Sequence, residues 1–151
     1  MPTKIEWTTH TWNPWWGCEE IAPECGKHGG GTGLCYAALF ASRNLHPIHA
    51  GTAAKAQWTG KLSRSGNKVW QAPFKWATAR VFTRSMSDFW HEDVPLGWLD
   101  EALDVIECTP QLTYQILTKR PGNIPRKLAS LTAQTSMSPS EVSAKVKSTP
   151  V

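Results

Sequence analysis

Acidic residues are missing from a long stretch of this 151-residue chain. No Asp or Glu occurs between Cys25 and Ser87, and residues 88–107 in turn have no Lys or Arg. The first stretch carries only positive charges, from Lys27, Arg43, Lys55, Lys61, Arg64, Lys68, Lys75, Arg80 and Arg84. The net charge of +4 therefore hides a separation of basic and acidic segments.

The basic segment 25–87 is a candidate nucleic-acid surface. Basic side chains gain affinity for phosphates by releasing condensed counterions. Three of the nine tryptophans, Trp58, Trp70 and Trp76, lie among these charges and would suit unstacked bases. A solvated basic face balanced by an acidic helix explains the same pattern, and aromatic side chains are more often core residues.

Long apolar runs are also missing, which excludes a membrane-spanning helix of about 18 residues. The first ten residues contain charge and no apolar run, so we expect no signal peptide and a cytoplasmic location. The chain has only four cysteines. In a reducing compartment, clustered cysteines are more often metal ligands or catalytic thiols than disulfides.

Three of these cysteines, Cys18, Cys25 and Cys35, lie in a segment rich in Trp and Gly that leads into a predicted helix. Three thiolates on one loop can hold an iron–sulfur cluster and leave one iron open for a further ligand. His28 lies between the second and third thiols, so Cys18, Cys25, His28 and Cys35 also offer a closed zinc site. The ligand chemistry alone leaves both interpretations open.

Periodicity predicts a helix over 35–45, a strand over 80–85, a helix over 95–107 and a strand over 113–118. Residues 46–75 have no clear period and are predicted to form a loop or inserted flap. A strand, a helix and a second strand within about forty residues form a βαβ unit, whose strands are parallel.

Sites in parallel sheets gather where the strands end. We therefore expect segments 18–35, 85–88 and 118–120 to meet. Their side chains are candidates for hydrogen bonding to a cofactor or anion. Ser and Asp after a strand are equally natural turn and cap residues, and the Lys-Arg pair is equally natural as a solvated surface pair. The candidate residues are Ser85, Ser87, Asp88, Lys119 and Arg120.

Longer motifs resemble the phage-associated three-cysteine-motif family, whose members look like radical S-adenosylmethionine proteins of undefined substrate. The likeness runs from about Ile5 to Leu128. It is carried by Ile5-Glu6-Trp7-Thr8, Trp12-Asn13-Pro14, Gly17-Cys18, Pro23-Glu24-Cys25, Cys35-Tyr36-Ala37, Arg80-Val81-Phe82, Ser85-Met86-Ser87-Asp88, His91-Glu92-Asp93-Val94-Pro95 and Gln115-Ile116-Leu117-Thr118-Lys119-Arg120-Pro121.

The resemblance implies an α/β fold, namely a partial (βα) barrel of the radical S-adenosylmethionine type. This barrel would be incomplete, with about half of its strands and helices present. The resemblance also implies a 4Fe–4S cluster on Cys18, Cys25 and Cys35 and a possible radical S-adenosylmethionine enzyme. S-adenosylmethionine would bind beside the cluster near the strand-end residues named above. No catalytic residue is assigned.

The chain departs from that family pattern in two places. Nine residues separate Cys25 from Cys35, and His28 occupies the usual spacing of the third cysteine. The barrel domain is predicted over 1–132, followed by a disordered tail at 133–151, as in a C-terminally truncated copy. A zinc-stabilised nucleic-acid-binding module and an inactive remnant that binds a protein partner therefore stay open as alternatives.

Overall fold

The computed structural model describes residues 3–22, 25, 35–44, 57–131, 140 and 144. His28 and nearly all of the predicted tail 133–151 lie outside these residues. The strands are β1 (His10–Trp12), β2 (Trp15–Trp16), β3 (Ser63–Arg64), β4 (Ala79–Thr83) and β5 (Leu112–Ile116). The helices are α1 (Tyr36–Asn44), α2 (Asn67–Trp70), α3 (Leu96–Glu107) and α4 (Asn123–Leu131), with a 3₁₀ turn at Ala72–Lys75.

The described residues form a mixed α/β fold around a small parallel sheet and no closed barrel. The strand order is β1-β4-β5, and β4 pairs in parallel with both neighbours. Val81 lies opposite His10 of β1, and Thr83 lies opposite Ile116 of β5. β2 and β3 form a separate antiparallel pair.

The predicted βαβ unit is confirmed as β4, α3 and β5. Helix α3 begins directly after Pro95, whose fixed φ suits the start of a helix. It buries Leu99, Ala102 and Val105 completely, and these residues recur at helical spacing. The first predicted helix is also confirmed, because α1 lies within residues 35–45.

The described part of the predicted loop at 46–75 differs from that expectation. Residues 57–75 contain β3, α2 and the 3₁₀ turn, and they pack against the sheet. Trp70 is fully buried, and the indole of Trp12 donates a hydrogen bond to the carbonyl of Val69 at 3.0 Å. Elements of two to four residues show no period in a sequence, which explains why the prediction lacked them.

Two apolar clusters hold the fold together. The larger lies around the sheet and is built on Trp12, Trp15, Trp70 and Phe89, with helix α3 covering it. The smaller consists of three alanines of α1 with Trp58 and Met86, and the Cys18 and Cys35 side chains pack against it. No helix in the described part combines the length and apolar character that crossing a bilayer requires.

Candidate functional site: a three-cysteine cavity

A cavity of about 290 Å³ lies at the carboxyl ends of β4 and β5. The three segments predicted to meet do meet there, because a parallel pair places both strand ends on one edge of the sheet. Every predicted site residue in the described chain lines this cavity: Cys18, Cys25, Cys35, Ser85, Ser87, Asp88, Lys119 and Arg120.

Gly17 positions the first cysteine. Its backbone N–H donates to the carbonyl of Met86 at 3.3 Å, and it forms a parallel bridge with Ser87. Gly17 has a φ of 105°, and a Cβ added there would lie 1.9 Å from the Lys61 carbonyl oxygen. Only glycine fits this backbone, so Gly17 sets where the Cys18 thiol enters the cavity.

Asn13 fastens the end of β4. Its side-chain oxygen accepts a hydrogen bond from the Met86 backbone at 3.2 Å, and its amide nitrogen donates to the Ser85 hydroxyl at 2.9 Å. The Tyr36 hydroxyl donates to the carbonyl of Ser85 at 3.0 Å. The Ser87 hydroxyl donates weakly to the carbonyl of Trp15 at 3.4 Å. Both serines thus face the cavity while bonding to their neighbours.

Asp88 joins the ends of β4 and β5. Its Oδ1 accepts from the Trp90 backbone at 2.9 Å and from the Thr118 hydroxyl at 2.8 Å. Its Oδ2 accepts from the Lys119 backbone at 3.0 Å and from Nη1 of Arg120 at 3.4 Å. A carboxylate that accepts hydrogen bonds from four donors is strongly held, so Asp88 links the two strand ends.

Lys119 and Arg120 lie against cysteine sulfurs. Nζ of Lys119 donates to Sγ of Cys25 at 3.3 Å, and Nη1 of Arg120 lies 3.9 Å from Sγ of Cys18. Burial raises the pKa of the Cys18 thiol, and the nearby Arg120 charge opposes that rise. For Cys25, burial also acts to raise the pKa, but hydrogen bonds from the Ile21 backbone and from Lys119 bring the pKa below its ordinary value.

None of the four cysteines forms a disulfide. Among the described residues, no three His, Cys, Asp or Glu side chains are grouped closely enough to hold a metal ion. A single zinc ion needs its ligands to converge at about 2.0–2.3 Å, whereas in an iron–sulfur cluster each thiolate binds a different iron. Three thiol side chains that line one cavity are the type of donor that an iron–sulfur cluster uses. The zinc alternative depends on His28, which lies outside the described residues.

The tryptophans of the basic segment are mostly interior. Trp58 and Trp70 are 7% and 0% exposed, so neither ring lies on the outer surface where it could stack on a nucleic acid. Trp76 is half-buried, and its ring lies 4.4 Å from the ring of His10. The side chains of Lys61 and Lys75 are exposed, whereas the tryptophans predicted to form the same nucleic-acid surface pack mainly in the interior.

Arg84 was not predicted as a site residue, yet it lines the cavity from the end of β4. Its backbone is left-handed, with a φ of 74°, and its guanidinium lies over the Trp15 ring and donates to the Trp15 carbonyl at 3.2 Å. Two of its nitrogens have no hydrogen-bond partner among the described residues. Burial lowers the Arg84 pKa well below its usual value. No sequence period distinguishes such a residue from a surface arginine.

A family model described as "Protein of unknown function (DUF5131)" matches residues 2–147. The chain belongs to this family. No curated protein and no solved structure matches the chain. The description of DUF5131 names no activity.

Proposed function

We propose that this DUF5131 protein binds a 4Fe–4S cluster through Cys18, Cys25 and Cys35 and binds S-adenosylmethionine in the same cavity. The observation that carries the proposal is the placement of three free thiols around one cavity at the ends of two parallel strands. Three thiolates occupy three irons and leave the fourth iron open for another ligand. The substrate stays undefined.

The proposal extends to the fold. The parallel order β1-β4-β5, with α3 connecting β4 to β5, matches the arrangement expected at the start of a (βα) barrel. We therefore interpret the sheet as part of a partial barrel of the radical S-adenosylmethionine type. Ligands of such sheets bind at the carboxyl ends of the strands, where the cavity lies.

The protein residues have separate roles in this proposal. The three cysteines hold the cluster, and Ser85 and Ser87 offer hydroxyls to polar atoms of S-adenosylmethionine. Trp58 and Phe82 supply buried apolar walls that limit water in the cavity. A bound cluster with S-adenosylmethionine supplies one-electron radical chemistry, and the protein's part is to bind and orient the reactants.

Anaerobic reconstitution with iron and sulfide tests the metal. We expect about four irons and four sulfides per chain, with visible absorption from sulfur-to-iron charge transfer. Cys18→Ala, Cys25→Ala and Cys35→Ala should each lose most of this absorption. Cys108→Ala is the matched control, because Cys108 does not line the cavity. Stoichiometric zinc without iron, lost in His28→Ala, would instead establish the zinc site.

Titration calorimetry tests the second ligand. The cluster-loaded protein should bind S-adenosylmethionine, and the cysteine variants without a cluster should not. Ser87→Ala should weaken binding, whereas Ser130→Ala, on the exposed side of α4, should leave binding unchanged. Equal binding by cluster-loaded and cluster-free protein would contradict the shared cavity.

A further inference from the structure

Two consecutive residues place cationic N–H donors beside two different cysteine sulfurs. Lys119 reaches Cys25 at 3.3 Å, and Arg120 approaches Cys18 at 3.9 Å. The thiols come from the segment before α1, whereas both cations come from the end of β5. The contacts therefore join parts of the chain that are about 100 residues apart, namely 94 and 102 positions.

The Lys119–Arg120 pair is firmly held. The Asp88 carboxylate accepts from the Lys119 backbone, and the Thr118 hydroxyl accepts from the Arg120 backbone at 2.9 Å. The Arg120 guanidinium also donates to the Glu19 carbonyl at 3.2 Å, next to Cys18 in the chain. Its side chain is only 8% exposed. The backbones of both residues and the Arg120 guanidinium are therefore held beside the cysteine segment.

Hydrogen bonds to sulfur and nearby positive charge are two of the levers that set the potential of an iron–sulfur cluster. A cluster gains negative charge when it is reduced, so cationic donors stabilise the reduced state more than the oxidised one. We propose that Lys119 and Arg120 are positioning residues that raise the reduction potential of the cysteine-bound cluster. This inference rests on the proposed function.

The two cations differ in what weakens their effect on the cluster. Lys119 is closer to its sulfur, at 3.3 Å against 3.9 Å. Arg120 also forms an ion pair with Asp88 at 3.4 Å, which offsets part of its charge at the cluster. Lys119 is exposed, so solvent screens part of its charge as well, and both residues are expected to shift the potential in the same direction. Both residues act through the sulfurs in this inference, and the contact with S-adenosylmethionine or an anion expected from the sequence stays a prediction.

A redox titration of the reconstituted protein tests the inference without a substrate. Dithionite supplies one electron to the cluster, and electron paramagnetic resonance measures the reduced fraction at each applied potential. In Lys119→Gln we expect the ratio of reduced to oxidised cluster at a fixed potential to fall about tenfold, which corresponds to about 59 mV for one electron. Lys119→Arg keeps the charge and should restore most of the wild-type potential.

Two further variants complete the comparison. Arg120→Gln should lower the same ratio, in the same direction as Lys119→Gln. Lys75→Gln is the control, because Lys75 is exposed and does not line the cavity. If Lys119→Gln assembles its cluster poorly, Arg120→Gln carries the same test.

The outcomes separate the two proposals. Wild-type protein that holds no iron and sulfide overturns the proposed function and this inference with it. Full cluster loading with unchanged potentials in both Lys119→Gln and Arg120→Gln overturns the inference alone. A lower potential in Lys119→Gln that Lys119→Arg restores supports both.

Discussion

The two apolar clusters of this protein differ in their side chains and in what they position. The larger cluster is built from tryptophans around the sheet, with Trp12 and Trp70 at a ring distance of 6.1 Å. The smaller cluster consists mainly of alanines on α1, and Cys18 and Cys35 pack against it. Large rings contribute most of the buried area, whereas alanines let the cysteine segment lie close to a helix. Stability and the placement of the thiols therefore depend on different residues.

The largest effect is expected in the tryptophan cluster. Trp70→Ala removes a fully buried ring and should lower the free energy of unfolding by about 3–5 kcal/mol. Chemical denaturation followed by circular dichroism measures this loss. Trp7→Ala is the control, because Trp7 is 43% exposed and should cost much less. Equal costs for the two variants would contradict the assignment of Trp70 to the core.

A buried ion pair within the larger cluster should rank next. Arg64 and Glu101 lie 2.7 Å apart, and each side chain is 2% exposed. Glu101→Ala leaves a buried guanidinium without its carboxylate, so we expect a loss of about 3 kcal/mol in unfolding free energy. The control is Glu92→Ala, which breaks the exposed pair with Arg126 and should cost much less, because solvent screens that pair.

The backbone at Gly17 fixes the cysteine segment that packs against the smaller cluster, and substitution there tests that packing. Gly17→Ala introduces a Cβ that overlaps the Lys61 carbonyl, so the segment has to shift, at a cost of about 2 kcal/mol. Gly60→Ala is a matched control, because Gly60 also has a positive φ, of 79°, but a Cβ there meets nothing within 4 Å. Denaturation should show a smaller cost of about 1 kcal/mol for Gly60→Ala.

The same pair separates stability from the site. Gly17→Ala should reduce iron incorporation on reconstitution, whereas Gly60→Ala should retain most of it. Iron and sulfide analysis of folded protein measures this difference. Normal incorporation in Gly17→Ala would mean that the position of Cys18 does not depend on this turn.

The smallest effect concerns pH. His91 is fully buried, and burial followed by the nearby Arg120 charge lowers its pKa below the ordinary value of about 6.5. The unfolded chain therefore binds a proton at a higher pH than the folded chain does. Stability should be complete above about pH 6.5 and should decrease as the pH falls toward the folded-state pKa.

His91→Asn tests the assignment of this pH dependence. Asn keeps an acceptor for the Asp93 backbone N–H, which bonds to Nδ1 of His91 at 3.1 Å. Denaturation curves between pH 5 and pH 7 should show a weaker pH dependence in the variant than in the wild type. An unchanged pH dependence would assign the effect to other groups, such as His10, whose pKa is also lowered.

Local sequence patterns were enough to predict the βαβ unit. The spacing of Leu99, Leu103 and Ile106 indicates a helix, and Val81 and Phe82 indicate a strand before it. Parallel pairing follows from the connection through a helix. The meeting of the cysteine segment with the two strand ends follows from that topology, and the cavity confirms it.

The sequence by itself determined the longer elements α1, β4, α3 and β5 and the edge of the sheet at which the site residues gather, because periodicity and connection rules act over short stretches of chain. Only the tertiary structure decided which atoms meet. Asp88 links the two strand ends by hydrogen bonds, and Lys119 and Arg120 lie beside cysteine sulfurs. Trp58 and Trp70 are buried. Such contacts depend on packing between residues far apart in the chain, and no local pattern records that packing.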